Sequence, residues 1–144
     1  MGVHIRHGDF RDYVGGRWFY TAAQYAQVMR WVAGNHPDRR FRFVVCSDEA
    51  QSPDAFPRLD VHIHSSDYQG DMHVLTLCDC IISTSSSFAR AAAFLGNIPL
   101  LRIFDPDLPV SHKFVNIDVL EEGWHWEGEM IRRFGDVGRA AVNQ

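Results

Sequence analysis

Short apolar runs alternate along this chain with segments of helical spacing, and that rhythm predicts an architecture before any motif is considered. Gly2–Arg6 reads as a first strand, with Val3 and Ile5 on one face and His4 and Arg6 on the other. Thr21 and Gln24 form a capping box that opens a helix. Its apolar face carries Ala22, Tyr25, Ala26, Met29 and Val32, and it is expected to end before Gly34-Asn35-His36-Pro37. Phe41–Cys46 is the second predicted strand. A loop with a short helix through Pro53 and Pro57 leads to a brief third strand at Val61–Ile63. Asp71–Cys78 has helical spacing through Met72, Leu75 and Cys78, and Cys80–Ser83 reads as a buried strand. Ser86–Leu95 is an alanine-rich helix closed by Gly96, and Pro99–Ile103 is a fifth strand. Beyond Asp105-Pro106-Asp107 the pattern weakens, with a sixth strand expected near Val115–Val119 and a helix near Glu127–Phe134.

Strands alternating with helices predict an α/β, Rossmann-like domain. Its mainly parallel sheet has right-handed crossovers and helices on both faces. In such sheets ligands sit beyond the carboxyl ends of the strands, near the point where strand order reverses. Arg6, Asp48 and Thr84–Ser87 each follow a predicted strand end, so all three are expected on one edge.

Composition narrows the class of ligand. The 144 residues are expected to form one domain, 1–144, with a sizeable core. Hydrophobic residues make up 46% and charged residues 22%, the balance of an ordinary globular protein. A formal net charge of −4 argues against nucleic acid as a partner, which needs a basic face. Anion binding must therefore rest on a few placed groups. A single lysine, Lys113, stands among many arginines. The guanidinium fork suits phosphate, although codon usage explains the same bias. The three cysteines are an odd number, and Cys78 and Cys80 are too close to bridge comfortably. Reduced thiols and a cytoplasmic location are expected. No apolar stretch has the roughly 18 residues of a transmembrane helix, and no secretory signal pattern opens the chain.

The candidate chemistry lies in two short motifs about eighty residues apart. The first is His4-Ile5-Arg6-His7-Gly8-Asp9. A lone buried guanidinium costs several kcal/mol, so Arg6 needs either an ion-pair partner, Asp9 or Asp48, or an anionic ligand in a crevice. His4 lies on the same face about 6–7 Å away, available to contact a base or to sit as a satisfied core histidine. The second is Asp71 followed by Thr84-Ser85-Ser86-Ser87-Phe88. A serine-rich strand-to-helix turn is both a set of N-cap residues and an anion site, since the first helical amides are unpaired. Asp71 reads as the cap of a helix starting at Met72, or as an acceptor for a guanine edge or ribose. His62, His64 and His73, with Cys78 and Cys80, show no recognised zinc spacing, so no metal is expected.

The first motif resembles the HxRxGD signature of α-1,2-fucosyltransferases and the Nod-factor fucosyltransferase group. The second, Asp71 through Asp79 to Ser87-Phe88, is similar to their later motif, and Ser47-Asp48 also has a counterpart. The likeness covers roughly residues 2–103. It implies the carboxyl-terminal, GDP-fucose-binding half of a GT-B-type inverting glycosyltransferase that uses no metal or other cofactor. By motif position Arg6 would neutralise the β-phosphate as it leaves. His4 and Asp71 would contact guanosine, with Asp48 among the substrate-binding residues. Ser86, Ser87 and the Phe88 amide would line the phosphate site. Arg6 and, among its acidic neighbours, Asp9 are the catalytic candidates. The aromatic pair that often follows the serines is replaced by Ala89-Arg90.

The chain opens on the first strand of that half, so the acceptor domain is expected to be missing from it. Transfer to a glycan would then need another domain or chain, supplied by a homodimer or a partner in its place; otherwise the domain binds without turnover. A different class also fits part of the pattern. Ile5-Arg6-His7-Gly8 resembles the opening of histidine phosphatases, in which His7 would be phosphorylated and a late histidine beside an acid would complete the pocket; the late histidines here, His112 and His125, stand instead in Ser-His-Lys and Trp-His-Trp, and the serine turn would have no role.

Overall fold

The computed structural model describes residues 1–103. The sixth strand and last helix expected at 115–119 and 127–134 lie outside the described residues, as do His112 and His125. Five strands form one all-parallel sheet: β1 (Gly2–Ile5), β2 (Phe43–Ser47), β3 (Val61–Ile63), β4 (Ile81–Ser83) and β5 (Leu100–Arg102). Their spatial order is β3-β2-β1-β4-β5. The chain steps outward from β1 to β3, then crosses back to place β4 on the other side of β1. The order therefore reverses between β1 and β4, and this is the Rossmann-like switch point.

Three helices cover the two faces. Helix α1 (Ala22–Gly34) packs Tyr25, Ala26, Val28, Met29 and Val32 against Val3, Ile5, Phe43, Val45 and Ile82. Helices α2 (Tyr68–Thr76) and α3 (Ser87–Gly96) bring Leu75, Ala89, Ala92 and Ala93 onto Cys46, Ile81 and Leu100 on the opposite face. Each fully buried Ile, Val or Met contributes about 1.5–3 kcal/mol. A one-residue slip of β1 would drive His4 into the α1 core and Ile5 out of it, so alternation fixes its register. Gly2 is required by close approach, because a Cβ there would lie 2.7 Å from Leu75 Cδ2 of α2.

The capping box is present: the Thr21 hydroxyl accepts from the Gln24 amide at 3.3 Å, and Gln24 Oε1 accepts from the Thr21 amide at 2.8 Å. Several expected boundaries move. β1 ends at Ile5, leaving Arg6 just past the ladder, and β2 begins at Phe43 and runs to Ser47. Helix α2 starts at Tyr68, four positions earlier than expected, because Asp67 caps it by accepting from the Gly70 amide at 2.8 Å. Asp71 is thus inside the helix and is not its cap. Gly96 is the last residue of α3, and the left-handed turn that ends the helix falls on Asn97, at φ 50°. No described helix is long and apolar enough to cross a membrane.

Candidate functional site

Parallel pairing sets the site geometry. Ile5 stands opposite Ser47, and His4 stands opposite both Cys46 and Ser83. One step further along these strands come Arg6, Asp48 and Thr84, on a single edge at the switch point. The first motif and the serine turn of the second meet there because β1 and β4 are neighbours in space.

Arg6 is held from one side. Its Nε donates to Asp9 Oδ1 at 2.8 Å and lies 3.4 Å from Asp48 Oδ2. The hydrogen bond to Asp9 and the two nearby carboxylates raise the Arg6 pKa further above its ordinary value. Neither Nη nitrogen makes a hydrogen bond among the described residues, so the contacts described there use only the Nε edge of the guanidinium. The ion pairs expected for Arg6 are present, and they use only one edge of the group, which leaves the ligand expectation compatible with them. Asp48 also ties down the chain that carries Arg6: its Oδ1 accepts from the His7 amide at 2.8 Å. Gly8 permits this, for a Cβ on it would come 2.7 Å from Asp48 Oδ2. Asp9, exposed, has its pKa lowered mainly by the bond from Arg6. A carboxylate held ionised in this way is a weaker base, and its visible task is to orient Arg6.

His4 is buried, with its ring stacked on Phe88 at 4.9 Å between centroids and 28° between planes. The Ser83 hydroxyl donates to the His4 carbonyl at 2.9 Å and lies 3.4 Å from Nδ1. Burial pushes the His4 pKa down to about 4, against an upward pull from Asp48. A neutral imidazole results, one face of which is already covered by Phe88. Stacking of a base on that face, allowed by the sequence, is ruled out in this arrangement; the ring acts instead as a brace between β1 and α3.

At the start of α3, Ser86 caps: its hydroxyl accepts from the Ala89 amide at 3.3 Å. The amides of Ser87 and Phe88, at the first two helical positions, have no acceptor within the helix. Ser87 is exposed and Ser86 buried, so within the serine turn Ser87 is the hydroxyl turned to solvent. Thr84 is buried, and its hydroxyl has no partner meeting hydrogen-bond geometry. It lies beside the buried Tyr25 hydroxyl, whose pKa burial drives upward.

Asp71 sits apart from Arg6, on the β2–β3 side. Its side chain is 12% exposed, its Oδ1 has no hydrogen bond, and His64 Nε2 lies 3.8 Å away, also unsatisfied. Desolvation raises the Asp71 pKa, partly opposed by His64 and by the Cys46 thiol. That thiol is itself pushed up to about 12 by burial and therefore remains a proton donor.

His7 is engaged on both sides. Its ring lies against Phe19 at 4.8 Å, and Nε2 is 2.8 Å from the Tyr20 carbonyl. A carbonyl only accepts, so Nε2 carries the hydrogen. Nδ1 faces the Gln51 amide nitrogen at 3.4 Å and Glu49 Oε2 at 3.6 Å. Neither nitrogen is presented to a phosphoryl group.

Continuing the ladder shows a feature the residue pattern did not bring out. Ser83 pairs with Arg102, and His64, one residue past the Ile63–Val45 pair, falls beside Cys46. A row of His64, Cys46, His4, Ser83 and Arg102 therefore crosses the whole sheet at its carboxyl edge. The row was invisible without strand order, because its members are drawn from five separate strands. No family model matches the chain, and no characterised protein or solved structure does so either.

Proposed function

We propose that this domain binds a nucleoside diphosphate sugar, GDP-fucose or its product GDP, as the donor half of a fucosyltransferase-like, GT-B-type glycosyltransferase. The observation that supports this best is the arrangement at the switch point. A guanidinium whose outer fork has no partner among the described residues and a helix start whose first amides have no acceptor within the helix lie on adjacent strand ends, joined by the His4–Phe88 stack. Diphosphate is the ligand class that both features suit, by bidentate charge-assisted bonds and by the helix N-terminus. The GDP-fucose assignment within that class rests on the motif resemblance.

Electrostatic stabilisation of the departing diphosphate by Arg6 is the catalytic effect this site is built to supply. Transfer needs in addition an acceptor hydroxyl and a base, and both carboxylates against Arg6, Asp9 and Asp48, serve as its ion-pair partners. We therefore assign donor binding to this domain and place the acceptor site on another domain, a partner chain or a second copy. The free thiols Cys46, Cys78 and Cys80 fit a reducing, cytoplasmic compartment. The phosphatase alternative is disfavoured by the His7 contacts, which leave no imidazole lone pair exposed.

A thermal-shift panel of GDP, GDP-fucose, GDP-mannose, UDP-sugars and inorganic phosphate tests the reading. Stabilisation selective for guanosine diphosphates is expected. Equal response to inorganic phosphate alone, or release of phosphate from p-nitrophenyl phosphate that His7→Ala abolishes, would overturn it.

A further inference from the structure

Charge balance at the switch point calls for a second cation. Arg6 brings one positive charge and its partners Asp9 and Asp48 bring two negative ones, so the trio is negative overall. The start of α3 adds roughly half a positive charge. A diphosphate is a multiply charged anion, and holding it there without net repulsion takes a further positive group. Arg11 does not fill that place, because its guanidinium is paired with Glu49 and lies 4.8 Å from the centroid of the Phe19 ring.

The sheet places another arginine on the far side of the serine turn. Ser83 is flanked in register by His4 of β1 and by Arg102 of β5. Arg6 and Arg102 thus arise from the two strands that border β4, whose end leads into α3. Adjacent strands are about 4.8 Å apart, a distance that an arginine side chain spans. Two contacts bring the Arg102 guanidinium to the carboxyl edge. Its Cζ lies 5.9 Å from the centroid of the Trp18 ring, and Trp18 belongs to the segment that joins β1 to α1. The Tyr20 hydroxyl pins that segment to β5 by donating to the Ile103 carbonyl at 3.3 Å. Arg17 lies over the same indole at 5.0 Å. The half-buried Trp18 therefore gathers two guanidiniums at one place. Like charges so gathered repel, and a bound anion relieves the repulsion.

We infer that Arg102 is a second diphosphate-binding residue, acting on the terminal phosphate from the β5 side of the α3 start while Arg6 acts from the β1 side. The inference deepens the donor-site reading and rests on it for the identity of the ligand. Sheet order assigns the phosphate. β5 is the strand furthest from β2 and β3, so a nucleotide whose base lies toward β2 brings its terminal phosphate nearest to Arg102.

The test is calorimetric titration of the full chain with GDP and with GMP at fixed ionic strength and pH 8, where the terminal phosphate is fully ionised. The native protein is expected to favour GDP over GMP by at least about tenfold, the worth of one charge-assisted bond. Arg102→Gln should bring that ratio below about threefold by weakening GDP and leaving GMP nearly unchanged. Arg102→Lys keeps the charge without the fork and should hold an intermediate ratio. Arg102→Met keeps the aliphatic stem and stands in should the glutamine variant not fold; urea unfolding establishes the folded state of each. A purely structural role would weaken GDP and GMP alike. An unchanged ratio in folded Arg102→Gln or Arg102→Met therefore overturns the proposal and leaves the donor site standing. A native protein that binds GDP no more tightly than GMP overturns it too. If the native protein binds neither nucleotide, the donor-site reading itself fails, and the assignment of Arg102 falls with it.

Discussion

Replacing Arg6 with alanine separates a binding role from a structural one, because the two carry different magnitudes. The Arg6 side chain is 37% exposed and that of Asp48 is 22% exposed. Water and salt screen such a pair, and exposed ion pairs are worth about 0–1 kcal/mol. Asp48 also keeps its bond from the His7 amide when Arg6 is gone. The fold should therefore lose under about 1 kcal/mol. Binding should lose far more. Each charge-assisted hydrogen bond is worth about 1.5–3 kcal/mol, and the two Nη nitrogens are placed to give two, so at least roughly 3 kcal/mol is at stake. At 1.4 kcal/mol per factor of ten, that is about a hundredfold or more in Kd. The vacated edge would also leave Asp9 and Asp48 facing the diphosphate without a counter-charge, which adds to the loss. Arg6→Lys keeps the charge and gives up the fork, and should recover about tenfold of it. Calorimetric titration with GDP, paired with urea unfolding of each variant, makes the comparison. A GDP affinity for Arg6→Ala within threefold of native, at unchanged stability, would refute the placement of Arg6 on the ligand.

Three further outcomes follow from the same geometry. His4 has a folded pKa near 4 against an ordinary value of 6.5, so its contribution to stability is full above pH 6.5. It declines as pH falls between 6.5 and about 4, by roughly 3 kcal/mol in total; urea titrations should show this slope, and His4→Phe, which retains an aromatic ring for Phe88, should remove it. Asp71 behaves in the opposite sense: its raised pKa means that ionisation penalises the folded state. Asp71→Asn should therefore raise the ligand-free melting temperature at neutral pH while weakening GDP binding, and a lower melting temperature would contradict the assignment. Val14, exposed and β-branched, sits at φ 50° and ψ 42°, a conformation that costs an L-residue about 1–2 kcal/mol. Val14→Asn should stabilise the protein by about 1 kcal/mol in urea unfolding.

The strands and helices were legible because their periodicities differ and each buries a continuous face. Val3 and Ile5 alternate toward α1, and the Thr21–Gln24 box marks a helix start by chemistry that acts within one turn. Boundaries shifted where the deciding contact was ambiguous in one dimension. Asp67 and Asp71 are both plausible caps, and only the position of Gly70, whose amide Asp67 accepts from, shows which one starts α2. Arg6, Asp48 and the serine turn were readable as a group because parallel strands put all their carboxyl ends on one side. The His4–Phe88 stack, the engagement of His7 by Tyr20 and the proximity of His64 to Asp71 were not. Each joins residues that are remote in sequence or on different elements, through side-chain directions that spacing does not encode.

The row of His64, Cys46, His4, Ser83 and Arg102 bears on why the proposed site would lie at this level of the sheet. One residue further toward the amino edge, the same strands present Val3, Val45 and Ile82 to the apolar core, all fully buried. Filling the row with valine or isoleucine would be the stabilising choice, since each polar member must find a partner or lose stability. His4 and Ser83 satisfy one another, Cys46 leans on Asp71, and His64 and Asp71 are left incomplete. That pair lies on the β2–β3 side, whereas the Arg6 fork, the first amides of α3 and the buried, unpartnered Thr84 hydroxyl lie over β1 and β4. An extended ligand with an anionic group at one end and a hydrogen-bonding ring at the other would meet both. Under the proposed function, it is this separation that would favour a nucleoside diphosphate over a simple phosphate.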